Sequence, residues 1–120
     1  MSVGTAGFVD FIVEQLAAME RMSAKRFFGG VGLSANSVQF AMVMGNSLYF
    51  TVDDTTRPKY EQMGSVCFSY ATQKGRVQVK KYFEVPAEVI EDPVALVALA
   101  REAVDVAHKS KTRSTKKRAA

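Results

Sequence analysis

The chain has 120 residues and is 48% hydrophobic, so it can build one domain around one core and is too short for two domains of ordinary size. Its formal charge of +4 is unevenly placed: residues 1–108 hold twelve acidic and ten basic side chains, whereas the last twelve residues hold six basic side chains and no acid. A nucleic-acid contact predicted from charge therefore belongs to the end of the chain.

No apolar run is long enough to cross a bilayer, and the first sixteen residues have neither a basic start nor a cleavage site. We therefore expect a soluble, cytoplasmic protein with no membrane contact. Cys67 is the only cysteine, so an intrachain disulfide is impossible, in agreement with a reducing compartment.

The first helix is predicted from about Gly7 to Arg21, with Thr5 as its N-cap. Apolar residues recur there at spacings of three and four: Phe8, Phe11, Ile12, Leu16 and Met19. The next stretch, Lys25 to Leu33, contains Gly29, Gly30 and Gly32 and predicts one strand with a glycine bulge.

A β-hairpin is predicted over Val38 to Val43 and Leu48 to Val52, because Gly45-Asn46 supplies the positive φ angles of a tight turn. Pairing across that turn puts one set of residues on a core face: Ala41, Val43, Leu48, Phe50 and Val52.

The opposite face of this hairpin carries Val38, Phe40, Met42 and Tyr49 and is more apolar than a strand open to water. A loop or helix of the same chain is one expected cover, and a second copy of the chain is the other. We expect Phe40, Met42 and Tyr49 to form an interaction surface.

Four more elements follow, and after the last of them the composition changes. Asp53 to Thr56 offer N-cap side chains to a short helix over residues 57–63, and Asp92-Pro93 starts a last helix that runs to about Lys109. Between them, Val66 to Tyr70 and Arg76 to Phe83 predict two strands. Residues 7–109 thus form the expected domain, and residues 110–120 are expected to be a disordered basic tail.

The predicted element order is α-β-β-β-α-β-β-α. Hairpin-length connections and the absence of a repeated βαβ unit favour a two-layer α+β fold, in which helices pack on one face of an antiparallel five-stranded sheet.

Several short motifs together resemble the N-terminal domain of the TfoX/Sxy family over roughly Phe8 to Ala107. They are Arg26-Phe27-Phe28-Gly29-Gly30-Val31-Gly32-Leu33, Phe40-Ala41, Leu48-Tyr49-Phe50, Val52-Asp53, Thr56-Arg57-Pro58, Tyr82-Phe83-Glu84-Val85-Pro86 and Asp92-Pro93. The resemblance implies a helix-flanked antiparallel sheet and a connection to regulators of natural competence. In that family the full-length proteins act with the cyclic-AMP receptor protein at promoters, and no catalytic residue or cofactor carries over.

The residues themselves favour no enzyme. His108, the sole histidine, lies in the last turn of the final helix, where a positive charge suits the helix dipole. Cys67 begins an apolar strand and is expected to be buried and inert. With one cysteine and one histidine, the chain is not expected to close a zinc site. The carboxylates at helix starts are expected to cap: Asp53, Asp54, Glu88, Glu91 and Asp92. We predict no cofactor, no metal and no catalytic activity.

The tail has a direct functional interpretation. Its basic residues can neutralise phosphates without reading sequence, and the contacts are predicted at Lys111, Arg113, Lys116, Lys117 and Arg118. A solubilising extension explains the same charges. A second basic group is expected either to form a surface, if the last hairpin lies near the second helix, or to be solvated: Arg57, Lys59, Lys74, Arg76, Lys80 and Lys81.

The leading hypothesis is a non-catalytic regulatory or interaction domain, a homodimer with a protein partner in transcription and non-specific nucleic-acid contact through the tail. The first alternative is a small-ligand-binding or enzymatic domain with a pocket near Gly29 to Gly32. A third is a chaperone-like adaptor that receives a partner segment on the face carrying Phe40, Met42 and Tyr49.

Overall fold

The computed structural model describes the backbone of residues 2–27 and 29–119 and the side chains of residues 7–27 and 29–110. Within those ranges the elements, in chain order, are α1 (Ser2–Gln15), β1 (Met22–Phe27), β2 (Gly30–Ala35), β3 (Val38–Met44), β4 (Ser47–Thr51), α2 (Arg57–Gln62), β5 (Cys67–Thr72), β6 (Gly75–Glu84), α3 (Ala87–Ile90) and α4 (Pro93–Ala119).

The strands form one antiparallel sheet in the order β1-β2-β3-β4-β6-β5. α4 packs across β3 and β4 and contacts α1, so helices cover one face of the sheet. The predicted α+β class is confirmed. After α2, the chain forms β5 at the edge of the sheet. It then returns through β6, which lies between β5 and β4.

The predicted count of five strands is wrong, since the described sheet has six. The stretch read as one bulged strand reverses direction at Gly29, whose φ of +88° is open to glycine. Phe27 pairs with Gly30, so β1 and β2 are adjacent antiparallel strands rather than one strand. The observed order is therefore α-β-β-β-β-α-β-β-α-α, with α3 as a further unpredicted element.

The first helix also differs from its prediction. It spans Ser2–Gln15 and ends before Arg21, which adopts a left-handed φ of 57°. Ile12 and Leu16 are buried as expected, whereas Phe11 is 40% exposed. The buried stripe of α1 is thus narrower than the apolar spacing indicates.

The central hairpin matches its prediction. Ala41 pairs with Phe50 and Val43 with Leu48, and all four side chains are fully buried under the helices. Burying one large apolar side chain such as Phe50 contributes about 1.5–3 kcal/mol to the free energy of folding. This hairpin buries four apolar side chains completely and forms the centre of the core.

A β-bulge changes the face of two residues that were predicted on the opposite side of the hairpin. Ser34 pairs with Gln39 and Leu33 with Ala41, so Phe40 is an extra residue in β3. Phe40 is therefore in the core, fully buried, with its ring centroid 5.8 Å from that of Phe50. Val38 also joins the core cluster. The prediction that Phe40 belongs to an interaction surface is corrected.

The last helix continues in the described backbone to Ala119, where the sequence predicts a tail without regular structure. Because side chains beyond residue 110 lie outside the description, the domain limits 7–109 and 110–120 stay predictions. In the part of the chain that the structure describes, no helix has the length and hydropathy needed to span a bilayer. The cytoplasmic location likewise stays a prediction.

Candidate functional site

The sheet face opposite the helices, which we call the open face, carries a row of aromatic side chains. Tyr49 of β4 meets Phe68 of β5 edge-on, with ring centroids 5.2 Å apart and an interplanar angle of 75°. Phe68 lies 6.0 Å from Tyr70 with the planes tilted by only 32°. Strand alternation and pairing put Val77 and Val79 of β6 on the same face, opposite Tyr70 and Phe68.

Two tyrosines of the open face have raised pKa values. Burial raises the pKa of Tyr49, the Glu84 carboxylate adds to that effect, and a hydrogen bond with Ser47 opposes it. Burial also raises the pKa of Tyr82, against the hydrogen bond that Gln39 Nε2 donates to its hydroxyl at 3.3 Å. Both phenols therefore stay neutral at physiological pH and act as aromatic, hydrogen-bonding groups.

The hairpin of β5 and β6 is basic. The segment 62–83 contains no acidic residue and four basic ones, and all four are exposed: Lys74, Arg76, Lys80 and Lys81. Arg76 is held on the side of the hairpin away from Val77, because its guanidinium donates to Ser69 Oγ at 2.8 Å.

The expected proximity of this hairpin to the second helix is present. Arg57, the first residue of α2, donates from Nε to the Lys80 carbonyl at 3.4 Å and pairs with Asp54 at 2.9 Å. The juxtaposition needed for a basic surface thus exists around β6. Binding of a ligand by that surface stays a prediction.

The three residues predicted for an interaction surface have separate fates. Phe40 is in the core, as described above. Met42 lies on the open face but is only 7% exposed, whereas Tyr49 is partly exposed beside Phe68. The structure thus leaves Tyr49 as the most accessible of the three, and its role in binding stays a prediction.

The glycine stretch has little room for a ligand. A Cβ at Gly30 would collide with Met44 Sδ and the Val43 carbonyl oxygen, and a Cβ at Gly32 would lie 2.6 Å from Gln39 Oε1. Met44 and Gln39 therefore occupy the space beside these glycines. The glycines permit close packing on the open face, and their surroundings do not support the predicted pocket.

A shallow groove of about 500 Å³ lies instead at the opposite end of β2, between the end of α1, the β2–β3 turn and α4. Apolar Met19, Ala35 and Val104 line it together with charged Glu20 and Arg101. The groove lacks a buried polar group aimed into it among its described lining residues, so it indicates no particular ligand.

One of the carboxylates predicted to cap helices does so, Asp92, whereas Asp53 caps the turn that precedes α2, whose N-cap is Thr56. Asp53 Oδ1 accepts from the backbone N–H groups of Thr55 and Thr56 at 2.9 and 3.0 Å, and the Thr56 hydroxyl accepts from the Asp53 N–H. The Thr55 hydroxyl bond is the main cause that lowers the pKa of Asp53. Asp92 caps α4 by accepting from the N–H groups of Val94 and Ala95.

The remaining candidates for chemistry are dispersed. Cys67 is partly buried against the core on β5, and His108 is partly buried on α4. Among residues 7–27 and 29–110, no three His, Cys, Asp or Glu side chains approach closely enough to share a metal ion.

One buried polar pair joins α2 to α4. The hydroxyl of Tyr60 and Oε1 of Glu102 are both buried without a hydrogen-bond partner, while Glu102 Oε2 accepts from Lys59 Nζ at 2.7 Å. Burial, and secondarily the charge of Glu102, raises the pKa of Tyr60 well above its usual range. The ion pair of Lys59 with Glu102 therefore joins α2 to α4, whereas the two polar atoms that lack a partner among the described residues each cost desolvation free energy.

The basic residues predicted to contact nucleic acid lie outside the described side chains, and that contact stays a prediction: Lys111, Arg113, Lys116, Lys117 and Arg118.

Sequence reasoning missed the aromatic row. The alternation of Phe68 with Tyr70 and of Val77 with Val79 was visible as a period of two. What the sequence did not contain locally is the pairing of β6 with β4, which brings Tyr49 beside Phe68.

Comparison with known proteins places the chain in a family. The family model of the TfoX N-terminal domain matches residues 14–107. One relative, the DNA transformation protein TfoX1 of Aliivibrio fischeri (strain ATCC 700601 / ES114), is 26% identical over 85 residues. That alignment covers 71% of this chain and 40% of the relative, so the chain corresponds to less than half of that protein. Since the family model covers most of the chain and its limits enclose the whole sheet, this chain belongs to the TfoX N-terminal domain family.

Proposed function

We propose that this domain is a non-catalytic regulatory module that acts through macromolecular contacts in a process linked to DNA transformation. The name of the relative in Aliivibrio fischeri supports the link to transformation. The observation that carries the proposal is the open face, where large apolar side chains remain exposed beside a fully packed core: Phe27 at 42%, Val77 at 38% and Tyr70 at 45%. Large apolar side chains exposed on one sheet face mark candidate interaction sites.

We propose three contacts for this module. The chain forms a homodimer, it binds a protein partner in transcription, and its tail contacts phosphates of nucleic acid. The open face has two unlike halves. The half on β1 to β3 carries Phe27, Met42 and Met44, whereas the half on β5 and β6 belongs to the basic hairpin. Two β5–β6 hairpins, with four basic side chains each, repel each other, whereas the half that carries Phe27 has one lysine on the open face, Lys25. Repulsion is weaker there, so a second copy is expected on that half.

Sedimentation velocity at micromolar concentration tests this assembly. The full chain should sediment as a dimer, and Phe27→Glu should shift it to monomer because a carboxylate would be desolvated in an apolar contact. Tyr70→Glu is the matched control, since Tyr70 has similar exposure on the other half of the open face and should leave the dimer intact. A wild-type chain that sediments only as monomer removes the homodimer from the proposal.

A further inference from the structure

We propose that the β5–β6 hairpin binds single-stranded DNA on the open face, with bases stacking on Phe68 and Tyr70 and the hairpin's lysines neutralising phosphates. This inference goes beyond the regulatory module proposed above. It requires neither the dimer nor the tail.

The ring geometry suits stacking of successive bases. Phe68 and Tyr70 are inclined by only 32° at a centroid distance of 6.0 Å, and Tyr70 is 45% exposed. Tyr49 contacts Phe68 edge-on and so fixes the orientation of that ring. Rings held in this way lose little side-chain entropy when a base stacks on them, and each stacked base contributes through its π-face without regard to sequence.

The charge of the hairpin is complementary to a phosphate backbone and contrasts with the rest of the domain. Residues 1–108 carry ten basic and twelve acidic side chains, and the segment 62–83 holds four of those basic residues and none of the acids. The remainder of the body therefore has six basic residues against twelve acids. The acids of this remainder lie outside residues 21–52, a segment that holds three basic side chains, Arg21, Lys25 and Arg26. An anionic strand is therefore attracted to the hairpin, which has the highest basic charge in the domain, and is repelled by the acidic segments before residue 21 and after residue 83.

Two features of the hairpin limit the path of the bound DNA strand. Lys74 lies in the turn at the tip of the hairpin, and Lys80 and Lys81 lie where β6 bulges, since Phe68 pairs with Val79 and Cys67 with Phe83. At the other end, the Glu84 carboxylate lies beside Tyr49 and disfavours phosphate there. The DNA strand is therefore expected to run from Phe68 over Tyr70 toward the turn of the β5–β6 hairpin.

The surroundings of the rings favour unpaired DNA. Base faces are available to an aromatic side chain only when the strand is unpaired. Val77 and Val79, opposite the two rings, are apolar and provide no hydrogen-bond partner for a ribose 2′-hydroxyl, which is the group that proteins use to select RNA.

The test uses the full chain with the tail neutralised by K111Q, R113Q, K116Q, K117Q and R118Q, so that loss of binding reports on the hairpin alone. Fluorescence anisotropy of a labelled oligothymidine of about 12 nucleotides, within the site sizes typical of such surfaces, measures affinity. Tyr70→Ala should weaken binding about 5- to 100-fold. Phe11→Ala, which removes a ring of similar exposure on α1, should leave it unchanged.

Two further variants make the result independent of folding defects. Lys80→Gln with Lys81→Gln should lower the slope of log affinity against log salt by about 1.4, at roughly 0.7 per released charge. Tyr70→Trp should retain binding, and its fluorescence should be quenched by the oligonucleotide. The chain has no tryptophan of its own, so that signal comes from one position.

The proposal is overturned if the tail-neutralised chain does not bind, if Tyr70→Ala and Phe11→Ala weaken binding equally, or if duplex DNA or oligouridine binds as tightly as oligothymidine. If Tyr70→Ala abolishes self-association and leaves DNA affinity unchanged, the ring row is a protein contact and the DNA site is rejected.

Discussion

Gly30 and Gly32 lie on the same face of β2, yet a side chain at each would meet different obstacles. At Gly30 the obstacle includes the carbonyl oxygen of Val43, which is fixed by strand pairing. At Gly32 it is the amide end of Gln39, an exposed side chain that can move. A side chain at Gly30 therefore meets a backbone atom that cannot move away, whereas a side chain at Gly32 meets a side chain that can.

We expect Gly30→Ala to destabilise the domain by about 1–3 kcal/mol, the usual range for overpacking. Gly32→Ala should change stability by less than about 1 kcal/mol, because rotation of Gln39 relieves the contact and alanine restricts the unfolded chain. Chemical denaturation of the two variants measures the difference. Equal losses, or a larger loss at Gly32, would contradict the assignment of the Val43 carbonyl as the decisive contact.

At the residue scale the sequence predicted the type of constraint better than its place. Glycines in an apolar run indicated a special backbone conformation, which the structure places in a turn at Gly29 and not in a bulge. Phe40 was assigned to the wrong face, because the single extra residue at the bulge shifts the alternation and no turn residue or proline announces it. Met42, beyond the bulge, kept its predicted face.

At the scale of elements, α2 is a helix of six residues and depends on the turn that precedes it. The Asp53 carboxylate accepts hydrogen bonds from Thr55 and Thr56, and the Asp53 carbonyl accepts from Arg57 N–H at 2.9 Å. So short a helix is unstable in isolation, and the capped turn together with buried Tyr60 holds it in place.

Asp53→Ala should therefore cost about 0.5–2 kcal/mol at neutral pH. The pKa of Asp53 is lowered in the folded state, so the stabilising effect of its charge is fully present above the unfolded-state pKa of about 3.8. It is lost as pH falls through the lower folded-state pKa. The measurement is urea denaturation of wild type and variant from neutral pH to below pH 4.

Asp53→Asn is the matched control, because it keeps an acceptor oxygen without a charge. Its deficit relative to wild type should be smaller than that of Asp53→Ala at neutral pH and should disappear in acid. A deficit of Asp53→Asn that is independent of pH would show that ionisation of this carboxylate does not contribute.

Elements governed by local signals were predictable, and those set by distant pairing were not. Gly45-Asn46 and Asp92-Pro93 fixed a hairpin and a helix start because turn and cap chemistry act within a few residues. The turn at Gly29 was read as a bulge, since both uses of glycine have the same local signature. The pairing of β4 with β6, which are separated in sequence by α2 and β5, depends on the packing of the whole sheet. A local sequence pattern does not encode it.

At the scale of the whole molecule, charge divides the chain into three parts: an acidic body, a basic hairpin within it and a basic end. The sequence located the basic end, but the hairpin became distinct only when folding placed its lysines around a row of rings. The two basic parts differ in the contact they can make. The last twelve residues contain no aromatic residue, so they can neutralise phosphates but cannot stack on bases.

This difference predicts how the end of the chain acts on duplex DNA. Replacing Lys111, Arg113, Lys116, Lys117 and Arg118 by glutamine should weaken binding to any duplex and reduce the slope of log affinity against log salt by up to about 4.5, at roughly 0.9 per phosphate contact. The loss should be the same for unrelated sequences, because phosphate contacts carry no sequence information. Titrations of two unrelated duplexes at several salt concentrations measure both quantities, with K25Q as a control for loss of one exposed charge on the body. Unchanged affinity and slope in the fivefold variant would assign the tail to solubility alone, since a tail that touches phosphates must release counterions when it binds.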